Sequence, residues 1–165
     1  MKFQLRKSQE LSGSKTGVYV VHLNDDNESQ FEKFLNENIS SFKNELMDIL
    51  ERLKTITNKT GAREQFFKTK EGKPGDHLEA LFDKPNSHLR LYCLRFGQQL
   101  LILGGGGEKP KNIKTWQESE KLTEENLMLQ KLSNEIYKRL TEKTLRYSED
   151  FTEFQGELTF KEDKK

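Results

Sequence analysis

The chain has 165 residues, 33% of them charged and 32% hydrophobic, which is polar for a globular protein yet leaves enough apolar positions for one modest core in a single domain spanning 1–165. Its 28 Lys and Arg against 27 Asp and Glu leave a net charge of +1, which excludes a global field that steers the protein to nucleic acid or an anionic membrane, so any basic site must be local. The lone cysteine, Cys93, excludes a disulfide framework and a cysteine-built zinc site within one chain, and no window approaches the ~18 apolar residues of a membrane span, so a cytoplasmic protein is expected.

Residues 1–23 predict a hairpin: FQLRKSQEL, the turn-rich SGSKTG, then VYVVHL with its β-branched and aromatic residues. From Asn24 the period changes. Ser29 and Glu32 have capping-box spacing, and Phe31, Phe34, Leu35, Ile39, Phe42, Leu46, Ile49, Leu50, Leu53 and Ile56 recur at three- and four-residue steps. That is one apolar helical face, divided into two helices at ENISS; the second ends near TNKTG, with Gly61 as a left-handed cap.

Between Ala62 and Thr115 the helical period gives way to turn signals, KEGKPGD, DKPNS, RFGQQ and GGGG, which separate the short runs QFFKT, HLEALF, LRLYCLR and QLLILG. These predict a mostly antiparallel meander. In LRLYCLR, Leu89, Leu91 and Cys93 fall on one face and Arg90, Tyr92 and Leu94 on the other; both faces are partly apolar, so the strand should be central. Past Trp116, Leu122, Leu129, Leu132, Ile136, Tyr137 and Leu140 mark a last helix. Phe151, Phe154 and Phe160 then need a packing partner, ahead of a charged tail expected to be disordered. The fold class is α+β: an N-terminal hairpin and two helices packed on a mostly antiparallel meander sheet, with a C-terminal helix.

The meander closes on LLILGGGGEKPK. A phosphate loop of the G-x-x-x-x-G-K-[ST] form is excluded, because Glu108 separates the glycines from Lys109, Pro110 follows, and no Ser or Thr stands ready to hold magnesium. Two readings remain. The glycines can present backbone N–H groups to an anion, or they can form a bulge and turn that ends the strand and swings Lys109 and Lys111 toward the face of Arg90. From Lys84 to Trp116 six basic residues meet one acid, Glu108, a local excess in a neutral protein.

The order of strand, two helices, meander, glycine-basic segment and helix, carried by FEKFL, ELMDILERLK, the Gly61 turn, HLEALF, LRLYCLR and LLILGGGGEKPK, resembles the RelE/ParE toxin superfamily in its HigB-like branch. The resemblance covers residues 18–140, with 1–17 and 141–165 as additions to that RelE-like core. It implies a toxin of a type II toxin-antitoxin system: a ribosome-associated mRNA endoribonuclease that inhibits translation without metal or other cofactor, neutralised by a cognate antitoxin, expected to be a helix-turn-helix protein. A minority branch attacks gyrase instead. One departure stands out, since the strand that presents lysines to the phosphate in RelE-type enzymes carries Glu79 and no lysine here.

Metal-free RNA cleavage needs a base near the 2′-OH, cations around the phosphate and a donor for the leaving oxygen. The candidate catalytic residues are Arg90, whose guanidinium can fork onto two phosphate oxygens, with Tyr92, His88 and Lys109; Lys111, Lys114 and Arg95 are candidate RNA contacts. Each has an ordinary alternative: a cross-strand ion pair for Arg90, packing for Tyr92, a surface turn for His88, a solvated strand end for Arg95, and a solvated loop for the lysines. Glu79, if opposite Arg90, would be its ion-pair partner or a general base. His22, His77 and His88 show no metal-ligand spacing. The competing function is a non-catalytic RelE-fold module that binds a protein partner through a strand edge or the first helix pair, a reading that the neutral charge and Glu79 favour.

Overall fold

The structure, a computed structural model, describes residues 1–69, 71, 77–84, 86–109 and 119–161. Strand β1 (Lys2–Lys7) buries Phe3 and Leu5 and pairs antiparallel with β2 (Gly17–Leu23), Phe3 opposite Leu23 and Lys7 opposite Tyr19. The predicted hairpin is therefore present. Helix α1 (Gln30–Asn38) starts on the predicted capping box: Ser29 Oγ accepts the Glu32 N–H at 3.0 Å, and the Glu32 carboxylate accepts the Ser29 N–H at 3.2 Å. The chain breaks at Ser40 and Ser41 before α2 (Lys43–Thr55), whose exit widens into a π-type turn over Ile56–Thr60. Gly61 follows at φ +80 and ψ 170, a conformation open to glycine but different from the left-handed helical cap expected there.

The meander is β3 (Phe67–Lys68), β4 (Leu78–Leu81), β5 (Leu89–Phe96) and β6 (Leu100–Glu108), each antiparallel to the next. β6 then lies parallel to β2, Gly17 opposite Leu100 through Val20 opposite Leu103. Helix α3 (Glu120–Glu142) starts on Ser119, whose hydroxyl accepts the Leu122 N–H, and is followed by the small hairpin β7 (Leu145–Tyr147) and β8 (Phe154–Gly156). The last strand, β9 (Thr159–Lys161), returns to the main sheet beside β1 with Phe160 opposite Phe3. Among the described residues the sheet has seven strands in the order β3-β4-β5-β6-β2-β1-β9. β1 and β9 thus extend the central sheet itself, and Phe160 is fully buried.

Strand alternation sorts the interior into two cores, one on each face of the sheet. On one face Tyr92, Leu94, Phe96 and Ile102 pack with Leu122, Leu129, Leu132 and Ile136 of α3. On the other Leu89, Leu91, Cys93 and Leu103 pack with Phe31 and Phe34 of α1 and Leu46, Ile49 and Leu53 of α2. This is why both faces of LRLYCLR are apolar, and β5 is central as expected. Three positions expected to pack are exposed: Tyr137 at 68%, Phe151 at 53% and Ile39 at 45%. Tyr137 lies about 100° round the helix from Ile136, off the buried stripe, and Ile39 is the C-cap of α1, where the chain turns away. Among the described residues no helix is long and apolar enough to cross a membrane. Lys111, Lys114, Trp116 and the tail at 162–165 lie outside the described residues.

Candidate anion-binding site

Because β3, β4, β5 and β6 are neighbours, residues near the same end of each strand come together, and here three cations meet one carboxylate. Asp83, just after β4, is 5% exposed. Lys68 Nζ stands 2.8 Å from its Oδ1, Arg90 Nη2 stands 3.7 Å from its Oδ2, and Lys109 Nζ donates to the same Oδ2. Lys109 also reaches Ser87 Oγ at 3.1 Å and the Lys84 carbonyl at 3.3 Å. Burial works to raise the Asp83 pKa, and the contacts with Lys109 and Lys68 and the charge of Arg90 override it, so the carboxyl sits below its ordinary value.

Beside the cluster is a second, weaker acid. Burial raises the Glu71 pKa against the opposing charges of Arg90 and Lys68. The Glu71 carbonyl accepts from Asn126 Nδ2 at 2.8 Å, and Gln130 donates to Asn126 Oδ1 at 2.6 Å, which ties this corner to α3. Tyr92 follows Arg90 on the same face but is fully buried, and its hydroxyl has no hydrogen-bond partner; the Arg90 Nε also has none. Burial, with the Glu71 charge adding to it, pushes the Tyr92 phenol up to about 12. At neutral pH that phenol keeps its proton, and its burial keeps it from stacking on a base.

The glycine run is not the turn that the sequence suggests. Strand β6 continues through all four glycines to Glu108, with Arg90 opposite Gly107 and Leu91 opposite Gly106, and a bulge between Leu91 and Cys93. The reason is close packing. A Cβ on Gly104 would stand 2.6 Å from Leu129 Cδ1, one on Gly105 would stand 2.6 Å from the Glu125 carboxylate, and one on Gly106 would stand 1.9 Å from the Arg90 carbonyl oxygen. The glycines let α3 and β5 approach β6, and the strand carries Lys109 directly to Asp83.

The other expected site residues are placed elsewhere. The His88 ring stacks on Phe42 at 4.9 Å, and its Nδ1 pairs with Glu45 Oε2 at 2.7 Å. Glu45 also accepts the N–H groups of His88 and Leu89, and although burial raises its pKa, these hydrogen bonds more than offset it, leaving it lowered. His88 therefore belongs to the α2 side and does not join Arg90. Arg95 lies on the face opposite Arg90, as expected, but it is neither a solvated strand end nor a free RNA contact. Its Nε and Nη2 grip Glu79 at 2.6 and 3.1 Å, and Nη1 donates to the Ala62 carbonyl at 3.2 Å. Glu79 pairs with Arg95 instead of Arg90 because its register partner is Cys93, which puts Arg95 on its own face. His22 and His77 are held by the carbonyls of Asp26 and Arg95. Among the described residues no group of three or more His, Cys, Asp or Glu is placed to hold a metal ion.

Asp83, Lys68 and Ser87 were the residues missed. DKPNS reads as a turn and QFFKT as a short strand, and neither signals that its polar residue meets Arg90. Asp83, Lys84 and Ser87 also line a groove of about 700 Å³ between α2 and the β4–β5 connection, with Ile49, Ile56, Phe66 and Leu81 at its floor and Glu51 and Arg52 at its rim. Chemically, the cluster supplies ammonium and guanidinium donors to an oxyanion; His88, the expected base, is committed elsewhere. Comparison with protein-family models, with curated proteins and with solved structures gives no match.

Proposed function

We propose that the chain is a RelE/HigB-like toxin that inhibits translation by engaging RNA phosphate at Lys68, Arg90 and Lys109, with a cognate antitoxin as its partner and mRNA on the ribosome as its target. The observation that carries this reading is the convergence of those three cations, two on strands and one directly after a strand, on one buried position. The element order from β2 through α1 and α2 to β4, β5 and β6 supports it, being the order on which the resemblance rests. The absence of a lysine from β4 is offset by Lys68 on the adjacent strand β3, which brings one to the cluster. The experiment is induction in cells of the chain and of Arg90→Ala, with growth and mRNA integrity followed. Growth arrest with cleaved mRNA for the parent and normal growth for Arg90→Ala are expected; normal growth and intact mRNA on inducing the parent overturn the reading. Tyr92→Phe should leave any toxicity intact, since the hydroxyl is buried and unpartnered.

A second reading, a non-catalytic protein-binding module, is favoured by two observations. His88 and Tyr92 are both withdrawn from the cluster, and the groove beside α2 offers an apolar floor to a partner segment. RNA binding that is absent even at low salt would select this reading.

A further inference from the structure

A carboxylate with two oxygens held by three cations is in the electrostatic position that a phosphate oxyanion would take. Lys68 and Arg90 come from β3 and β5 and Lys109 directly follows β6, yet all three point at Asp83, and its side chain is almost wholly buried. The Arg90 guanidinium keeps a buried Nε without a hydrogen-bond partner. Polar groups left unsatisfied at such depth are uncommon and costly, so the pocket holds more donor capacity than Asp83 uses. Asp83 itself lies in the connection between β4 and β5, which also supplies Ser87 Oγ and the Lys84 carbonyl to Lys109. A short connecting segment thus carries the anion, while Lys68 and Arg90 sit at strand positions and Lys109 directly follows one.

We propose that Asp83 is an internal anion that plugs a phosphate-oxyanion site formed by Lys68, Arg90 and Lys109, and that moving or neutralising Asp83 opens this site to an external phosphate group. The proposal rests on the toxin reading only for the identity of the ligand as RNA; the shared chemistry, a phosphate oxyanion, is independent of it. In that reading the plug holds the protein in a low-affinity state.

The test uses the full chain and three variants, Asp83→Asn, Asp83→Asn with Arg90→Ala, and Asp25→Asn, the last removing an exposed acid whose partner is Lys2 to match the change in net charge. Anisotropy of a labelled single-stranded RNA is followed against salt, and melting is followed in sodium phosphate against sodium chloride at equal ionic strength. Asp83→Asn should bind the RNA roughly tenfold more tightly than Asp25→Asn, with a salt slope steeper by about 0.7 for one added phosphate contact. Phosphate should raise its melting temperature more than chloride does, and Arg90→Ala should cancel both gains. Equal affinity of Asp83→Asn and Asp25→Asn together with no preference for phosphate overturns the proposal, as does a gain that survives Arg90→Ala. If Asp83→Asn is unfolded in chloride, folding restored by phosphate supports the plug and unfolding in both salts overturns it. A phosphate-specific effect without RNA binding or toxicity would end the RNA reading alone, whereas toxicity without any gain in Asp83→Asn would end the plug alone.

Discussion

Gly106→Ala tests whether the glycine run is a strand. An ideal Cβ there lies 1.9 Å from the Arg90 carbonyl oxygen, 2.9 Å from the carbonyl carbon and 3.0 Å from Leu91 Cα. All three atoms are backbone, so no side-chain rotation relieves the clash, and β5 and β6 must part at the bulge between Leu91 and Cys93. Losing one or two ladder hydrogen bonds there at about 1 kcal/mol each, with strain in the packing around them, gives a destabilisation of about 2–4 kcal/mol. Gly107→Ala is the control. Its Cβ meets Lys121 Cγ at 3.0 Å, and that side chain is long and 42% exposed, so it can swing aside; the change should stay within about 0.5 kcal/mol. Gly104→Ala should fall between them, because Leu129 is buried but is a side chain. Urea denaturation of the three variants measures the series through the midpoint at constant slope. Equal costs at positions 104, 106 and 107, or a Gly106→Ala protein as stable as the parent, would refute the strand and return the run to a turn.

Breaking the Arg95–Glu79 pair by Arg95→Ala should cost about 3 kcal/mol by leaving a buried carboxylate unpaired, and Arg95→Ala with Glu79→Ala should cost less than the two single changes added; additive losses in a denaturation cycle would show that the two groups do not interact. Asp83 has a folded pKa below its unfolded value, so its stabilising contribution is complete above about pH 4 and is lost as pH falls through the lowered folded value. The parent should therefore lose stability faster than Asp83→Asn below about pH 4, and parallel acid-unfolding curves would contradict the ion cluster.

Much of the architecture was legible because it rests on local rules. The hairpin, the Ser29 capping box, the helix break after α1 and the four meander strands follow from period and turn chemistry within short windows. The parallel meeting of β2 and β6 and the return of β9 to β1 were not, since both join segments far apart in the chain. The glycine run was misread for a related reason. Glycine signals a turn when its neighbours in the chain are considered, but here the constraint is Leu129, Glu125 and the Arg90 backbone, which lie across a layer or a strand. Arg90 and Lys109 do meet at Asp83, but through a continued strand and not the expected turn, whereas His88 was drawn away by Glu45 from α2, a contact that no spacing in the sequence foretells.

The local charge count shows how the site hid in plain view. The basic window runs from Lys84 to Trp116 and contains Glu108 as its one acid, yet Asp83 stands one residue before it and Glu79 five. In space these two carboxylates are the partners of three of its six basic residues, Arg90, Arg95 and Lys109. Their consequences differ. Glu79 and Arg95 form a closed one-to-one pair with both guanidinium edges used, whose effect is to fasten β4 to β5 and to the turn at Ala62. Asp83 faces three cations, so the same count leaves positive charge over at that corner, opposed among the described residues by a Glu71 whose ionisation burial disfavours. A neutral protein can therefore hold a local cationic surplus, and it is the surplus at Asp83, not the linear density of lysines, that makes Arg90 the residue to test first.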